Sequence, residues 1–234
     1  MLMYEYGNPA SSIILIQMVD DHDLKVIENE VAAIKKSVND FKLVAVKTDN
    51  WNTDLSPWEA PAVFGKEGFS GGATRTLTEM LQLCSDVSKT YYIGGYSLAG
   101  LFALWAAYQT NVFAGVAAAS PSVWFPGFLK YMKEHDIHSD SVYLSLGDKE
   151  EKVRNPVMSK VGDCIREGHA WLRDRGINCT LEWNQGNHFK EPDLRTARAF
   201  VWTVQNYSTV NHLNLNRRQK ATGSSCSNIQ SMYK

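Results

Sequence analysis

Three places in the sequence carry the residue types that nucleophilic catalysis needs, and they come in a workable order. They are Ser97, the acidic group Asp148, Glu150 and Glu151, and His188. A serine hydroxyl is a poor nucleophile until a base takes its proton. An imidazole titrates near neutrality and can take it. A carboxylate then fixes the imidazole tautomer and stabilises the imidazolium. Ser97 sits between a short β-branched and aromatic run, Tyr91 to Ile93, and a long apolar helical pattern, Leu98 to Tyr108. A chain that passes from strand to helix within a residue or two leaves no room for side chains at the turn. Gly95, Ala99 and Gly100 meet that demand and would hold the Ser97 hydroxyl above a sheet on a strained turn. The backbone N–H of Leu98, first in the helix, would face a developing oxyanion.

The base and acid follow from position. Of the six histidines, His22 opens a helix, His135 and His138 flank a helix end, His169 is mid-helix and His212 is in a polar tail. His188 alone falls in a glycine-containing loop between the last strand and the last helix. Glu150, three residues after Gly147, is the expected acid because a short turn would bring it back over the sheet. Asp148 is the alternative, and Glu151 is expected to face water. A second oxyanion donor is expected from the turn after the first apolar strand, from the N–H of Met18 or Val19. Asp20 and Asp21 nearby would oppose an oxyanion and must point away or serve a cationic group. Trp51, Trp58, Trp124 and Tyr96 are expected to bind substrate.

The elements that must position these groups alternate along the chain. Ser12–Met18, Phe41–Lys47, Tyr91–Ile93, Gly115–Ser120, Ser141–Gly147 and Asn178–Trp183 read as strands, several of them continuous apolar runs suited to burial on both faces. Helical spacing lies between them: Leu24 to Val38, Ala73 to Asp86, Leu98 to Tyr108, a short helix to about His135, one opened by Asn155-Pro156 and ending near Gly176, and Asp193 to Tyr207. The acidic run at Asp20–Asp23 reads as cap and first turn. Such alternation gives right-handed crossovers and a mostly parallel sheet of about six or more strands, covered on both faces. The stretch from Thr48 to Gly72 is long for a loop and rich in aromatics, which suits a pocket wall.

The totals set bounds. The chain has 234 residues, 44% hydrophobic, which fits one large domain over 1–207 with a polar, flexible extension over 208–234. A formal net charge of −1 gives no pull toward nucleic acid or an anionic membrane. Four cysteines without C-x-x-C spacing, no signal-like start and no run of transmembrane length lead to the expectation of a cytoplasmic protein with free thiols, Cys226 exposed among them. Neither metal nor cofactor is called for.

Four segments together resemble the α/β-hydrolases, in particular compact esterases similar to enterochelin (siderophore) esterase and esterase D. They are Gly95-Tyr96-Ser97-Leu98-Ala99-Gly100, Ser120-Pro121-Ser122-Val123-Trp124, Gly147-Asp148-Lys149-Glu150 and Gly186-Asn187-His188-Phe189. The resemblance covers about Ser12 to Tyr207. It implies an α/β-hydrolase fold without a large lid, and Ser97, Glu150 and His188 as nucleophile, acid and base acting on a small acyl or aromatic ester. Ala99 replaces the second glycine of the elbow, and Gln17-Met18-Val19 replaces a His-Gly oxyanion turn. Two other readings share these residues: a non-catalytic binding protein of the same fold, and an acyltransferase.

Overall fold

The computed structural model describes residues 1–207. The extension expected over 208–234, with His212 and Cys226, lies outside the described residues. Strand β1 is Leu2–Gly7, β2 Ile13–Val19, β3 Lys42–Lys47, β4 Glu59–Ala60, β5 Phe69–Ser70, β6 Thr90–Tyr96, β7 Phe113–Ala119, β8 Ser141–Gly147 and β9 Asn178–Asn184. The helices are α1 Asp21–Lys35, α2 Trp51–Asp54, α3 Ala73–Leu81, α4 Leu98–Gln109, α5 Phe128–Glu134, α6 Val161–Asp174 and α7 over 192–207. Seven strands form one sheet in the order β1-β3-β2-β6-β7-β8-β9, while β4 and β5 pair apart from it. All sheet neighbours are parallel except β1, which lies antiparallel to β3.

The side chains that line each face explain the layering. Ile14, Ile16, Val116 and Leu144 point to the side covered by α3, α4, α5 and α6. Leu15, Val19, Leu43 and Tyr143 point to the side covered by α1 and α7. On the α7 side, β7, in the middle of the sheet, carries only Gly115, Ala117 and Ala119, and β6 carries Gly94 between Tyr92 and Tyr96. A Cβ on Gly94 would lie 2.6 Å from the Phe200 ring, and one on Gly115 would lie 2.3 Å from Thr203 Cγ2. Glycine there lets α7 lie directly on the strands, which brings the loop before α7 over the end of β6. α4 is apolar on every side, and Leu98 to Tyr108 are all buried, as expected of a helix enclosed by sheet and neighbours.

Three elements differ from the sequence reading. β1 precedes the first strand expected from the sequence. It is an exposed edge strand, held by its ladder from Leu2–Lys47 to Gly7–Lys42 rather than by a buried face, so its sequence shows no alternation. The helix expected from Asn155-Pro156 starts later, at Val161. Asn155 Oδ1 instead accepts from the N–H groups of Val157 and Met158 and closes a turn before a 3₁₀ segment, Met158–Lys160. The long loop after β3 is partly ordered as α2 and the β4–β5 pair. The acidic run behaves as expected at α1: Asp20 Oδ1 accepts from His22 N–H and Asp23 N–H, Asp23 Oδ2 accepts from Asp20 N–H, and Asp21 pairs with Lys47 at 2.6 Å.

Candidate active site

β6 ends at Tyr96 and α4 begins at Leu98, so Ser97 occupies the whole turn. Its backbone is at φ 57°, ψ −119°, a conformation that costs a side-chain-bearing residue about 1–3 kcal/mol. The turn is tied down by Ser97 N–H donating to Ala119 O at 3.1 Å and Ser122 N–H donating to Ser97 O at 3.0 Å. The elbow tolerates Ala99 because Gly95 vacates the space opposite: a Cβ on Gly95 would sit 2.6 Å from Ala99 Cβ. No side chain caps the first turn of α4. The Leu98 N–H has no intrahelical acceptor at that position, and Leu98 lines the cavity above Ser97.

β8 ends at Gly147, and the next turn carries Glu150 back under the loop that follows β9. Gly147 N–H donates to Glu150 Oε1 at 2.7 Å, Ser120 Oγ donates to the same oxygen at 2.9 Å, and Arg195 Nη1 donates to it at 2.9 Å. The other oxygen, Oε2, receives His188 Nδ1 at 2.7 Å, and His188 Nε2 lies 3.0 Å from Ser97 Oγ. A carboxylate at Nδ1 fixes the proton there and leaves the Nε2 lone pair for the Ser97 hydroxyl. Asp148, the alternative acid, does not reach His188. Its Oδ1 accepts from Gly186 N–H at 2.7 Å and its N–H donates to Asn184 O at 2.8 Å, so it ties the β8 turn to the β9 loop. Glu151 pairs with Arg166 at 3.0 Å.

The remaining sequence candidates divide. Trp51 and Trp124 line the cavity with Ser97. Trp58 does not. Its indole N–H donates to Pro126 O at 2.8 Å, and its ring packs on Phe125, Phe128 and Tyr131, which makes it part of the wall behind. Tyr96 is buried and also lies outside the lining. Its hydroxyl donates to His188 O at 2.7 Å, and burial, with Glu150 close by, pushes it up to about 12. Met18 and Val19 are corrected as well. β2 runs on through both, in register with Val46 and Lys47, and neither lines the cavity. The turn comes at Asp20, whose N–H is taken by Asp23. Asp20 and Asp21 are likewise spent locally on α1 and Lys47 and are absent from the lining.

The cavity has a volume of about 500 Å³. Phe64, Phe69, Val153, Met158, Val161 and Phe189 join Trp51, Leu98 and Trp124 in its walls, and Ser120, Ser122 and Asn187 supply polar groups beside the triad-like residues. Neither lysine nor arginine lines it. Phe64 and Phe69 were visible in the sequence as aromatics of the long loop. Val153, Met158 and Val161 reach the cavity only because the segment before α6 folds as a turn. Arg195 was missed although its position contains a signal: it lies one helical turn before Ala199 on the buried face of α7, where a charge calls for a partner. Among the described residues no group of three His, Cys, Asp or Glu is placed to hold a metal.

No family model matches the sequence, and no curated protein matches it. Solved structures match in fold. An IroE-like serine hydrolase from Shewanella oneidensis superposes with a TM-score of 0.69 at 13% identity, over 85% of this chain and 73% of that one. The siderophore hydrolase EstA from Aspergillus nidulans gives 0.61 at 18% identity, over 86% of each chain. The enterochelin esterase from Shigella flexneri gives 0.60 at 14% identity, over 87% of this chain and 54% of that one, so the chain spans about half its length. The chain has the α/β-hydrolase fold.

Proposed function

We propose that this protein is a serine hydrolase that cleaves a carboxylic ester through an acyl-enzyme. The observation that carries the reading is the unbroken line from Glu150 Oε2 to His188 Nδ1 and from His188 Nε2 to Ser97 Oγ, at 2.7 and 3.0 Å, with Ser97 on a strained turn under an apolar cavity. Ser97 Oγ attacks the ester carbonyl while His188 takes its proton. The tetrahedral oxyanion is held by Leu98 N–H. The C–O bond to the alcohol breaks as His188 returns the proton to the leaving oxygen. Water then repeats the sequence on the acyl-enzyme, freeing the acid and restoring Ser97. With Met18 and Val19 outside the cavity, the hydroxyl that stands beside the nucleophile is that of Ser122, 3.4 Å from Ser97 Oγ and free to turn its proton toward a developing oxyanion. We assign it the second oxyanion contact. No cofactor enters this scheme.

The lining names the kind of ester. Its walls are aromatic and aliphatic, and its ionisable members are Glu150 and His188 themselves. An anionic substrate would meet no fixed cation there and would lose its hydration without compensation. A neutral ester with an apolar acyl or aromatic group gains from the same walls. Among the described residues no helix is long and apolar enough to cross a membrane. Three half-buried free thiols, Cys84, Cys164 and Cys179, support a reducing, cytoplasmic setting.

The test is hydrolysis of a neutral ester, p-nitrophenyl butyrate, beside an ester of similar size carrying a carboxylate. Turnover of the neutral ester with preference over the anionic one is expected. Absence of turnover of any ester by folded protein would leave a binding protein of this fold. Preference for the anionic ester would overturn the substrate assignment.

A further inference from the structure

The acid of the triad does not stand alone. Arg195, on the first turns of α7, is 1% exposed, and its guanidinium spends its donors on the site. Nη1 reaches Glu150 Oε1 at 2.9 Å, Tyr96 OH at 3.1 Å and Ser120 Oγ at 3.4 Å. Nη2 reaches Gln185 O at 3.2 Å and Asn187 O at 3.1 Å, the carbonyls on either side of Gly186 in the loop that carries His188. Tyr96 OH passes the connection on to His188 O at 2.7 Å. One side chain therefore joins the acid, the strand that leads to the nucleophile and the loop that carries the base.

We propose that Arg195 is a positioning residue of the catalytic site with two separable effects: its fork fixes the loop that presents His188, and its charge sets how tightly the Glu150–His188 pair holds a proton. The inference rests on the reading of Ser97, His188 and Glu150 as a triad. The fork effect follows from geometry. A planar guanidinium can bond a carboxylate and two carbonyls from separate nitrogens, whereas an ammonium carries its three donors on one nitrogen and cannot span the two sides of the site. The charge effect follows from Coulomb's law in a buried site. A fixed cation against Glu150 opposes addition of a proton to the pair, wherever in the pair that proton sits. The groups that face the pair are Arg195, the Tyr96 hydroxyl, the Ser120 hydroxyl and Ser97. Arg195 is the charged one among them.

The two effects come apart in two variants of the full chain, R195K and R195Q, assayed on p-nitrophenyl butyrate across pH. R195K keeps the charge and loses the fork. Its kcat should fall about 10-fold or more with KM nearly unchanged, and the acid limb of its kcat/KM profile should stay where it is in wild type. R195Q loses both. Its kcat should fall about 100-fold, and its acid limb should move to higher pH by about one unit. A role in packing alone would lower the amount of folded protein, or kcat, in both variants without moving the limb. Either variant within threefold of wild type, or an unmoved limb in R195Q, overturns the proposal. If R195Q does not fold, R195K with Y96F decides the fork effect. Y96F removes the bridge to His188 O while leaving Arg195 in place, and both variants must lose kcat for the proposal to stand. Inactivity of the wild-type protein on every ester would instead remove the triad reading on which this rests.

Discussion

Two glutamates are buried in this molecule to almost the same degree, and their surroundings could hardly differ more. Glu150, 5% exposed, receives hydrogen bonds from Gly147 N–H, the Ser120 hydroxyl, Arg195 and His188. Glu30, 2% exposed on α1 behind β2, receives one, from Gln17 Nε2 at 3.2 Å. Its Oε1 and the Gln17 Oε1 both lack a hydrogen-bond partner. Burial pushes the Glu30 carboxyl well above the ordinary range; the Gln17 bond works against this, and Asp23 and Asp193 add to it. Burial alone thus yields a carboxyl group that keeps its proton. A buried carboxylate that can steady an imidazolium needs donors arranged around it, and those donors come from four separate places, the turn after β7, the end of β8, the loop after β9 and α7. The contrast locates the chemistry in the wiring rather than in the residue type.

The sharpest way to test that contrast is to change each glutamate to its neutral isostere. E150Q removes the charge from the fully bonded site, and kcat on p-nitrophenyl butyrate should fall about 10³- to 10⁴-fold with little change in KM. E30Q should leave kcat within about twofold, because Glu30 lies outside the cavity lining. Loss of activity in E30Q equal to that in E150Q would erase the distinction. S122A probes the second oxyanion contact, and its kcat should fall by about 10- to 100-fold, less than the loss of an ideally aligned donor. An unchanged kcat would move that donor elsewhere.

Glu30 should speak through stability instead. Its folded value lies above the unfolded value of about 4.3, so the folded chain keeps a proton that the unfolded chain has released. The stability gained is complete below the unfolded value and is lost as pH rises toward the folded one. E30Q removes that loss, so its melting temperature at pH 8 should exceed wild type by about 2–5 °C while the two agree at pH 4. A lower melting temperature at pH 8 would mean that Glu30 is ionised and paired. The smallest effect is expected at Asp23, which burial, with Asp20 nearby, raises to about 6. Stability from this group is full below about pH 4 and lost between about 4 and 6. D23N keeps an acceptor for Asp20 N–H and should flatten wild-type melting over that window alone.

The same contrast explains what could be read in advance. β2, β3, β6, β7 and β8 were legible because strands buried on both faces must be apolar runs, and β9, half-buried at one edge of the sheet, was legible from its place between two helical patterns. β1 was not, because an exposed edge strand needs only a backbone partner. Ser97 and His188 were legible because each stands at a strand end in a setting that little else explains. In the sequence the spacing from Gly147 favours Glu150 over Asp148, and Asp148 stays the alternative because the choice depends on how one turn closes. The Met18–Val19 donor failed for a physical reason: the strand runs through both residues, one further than expected, and the capping box at Asp20 and Asp23 consumes the turn. Trp58 and Tyr96, expected to bind substrate, lie outside the cavity lining, because spacing does not encode which way a ring turns. Arg195 is the most instructive omission. Helical periodicity places it on the buried face, and a buried guanidinium must find partners.

The central claim is that Ser97 is an activated nucleophile held by His188 and Glu150. Intact-mass analysis after exposure to a fluorophosphonate probe tests it most directly, with S97A beside the wild type. The account predicts one adduct on the wild-type chain and none on folded S97A. No adduct on folded wild type, or an adduct retained by S97A, would contradict it.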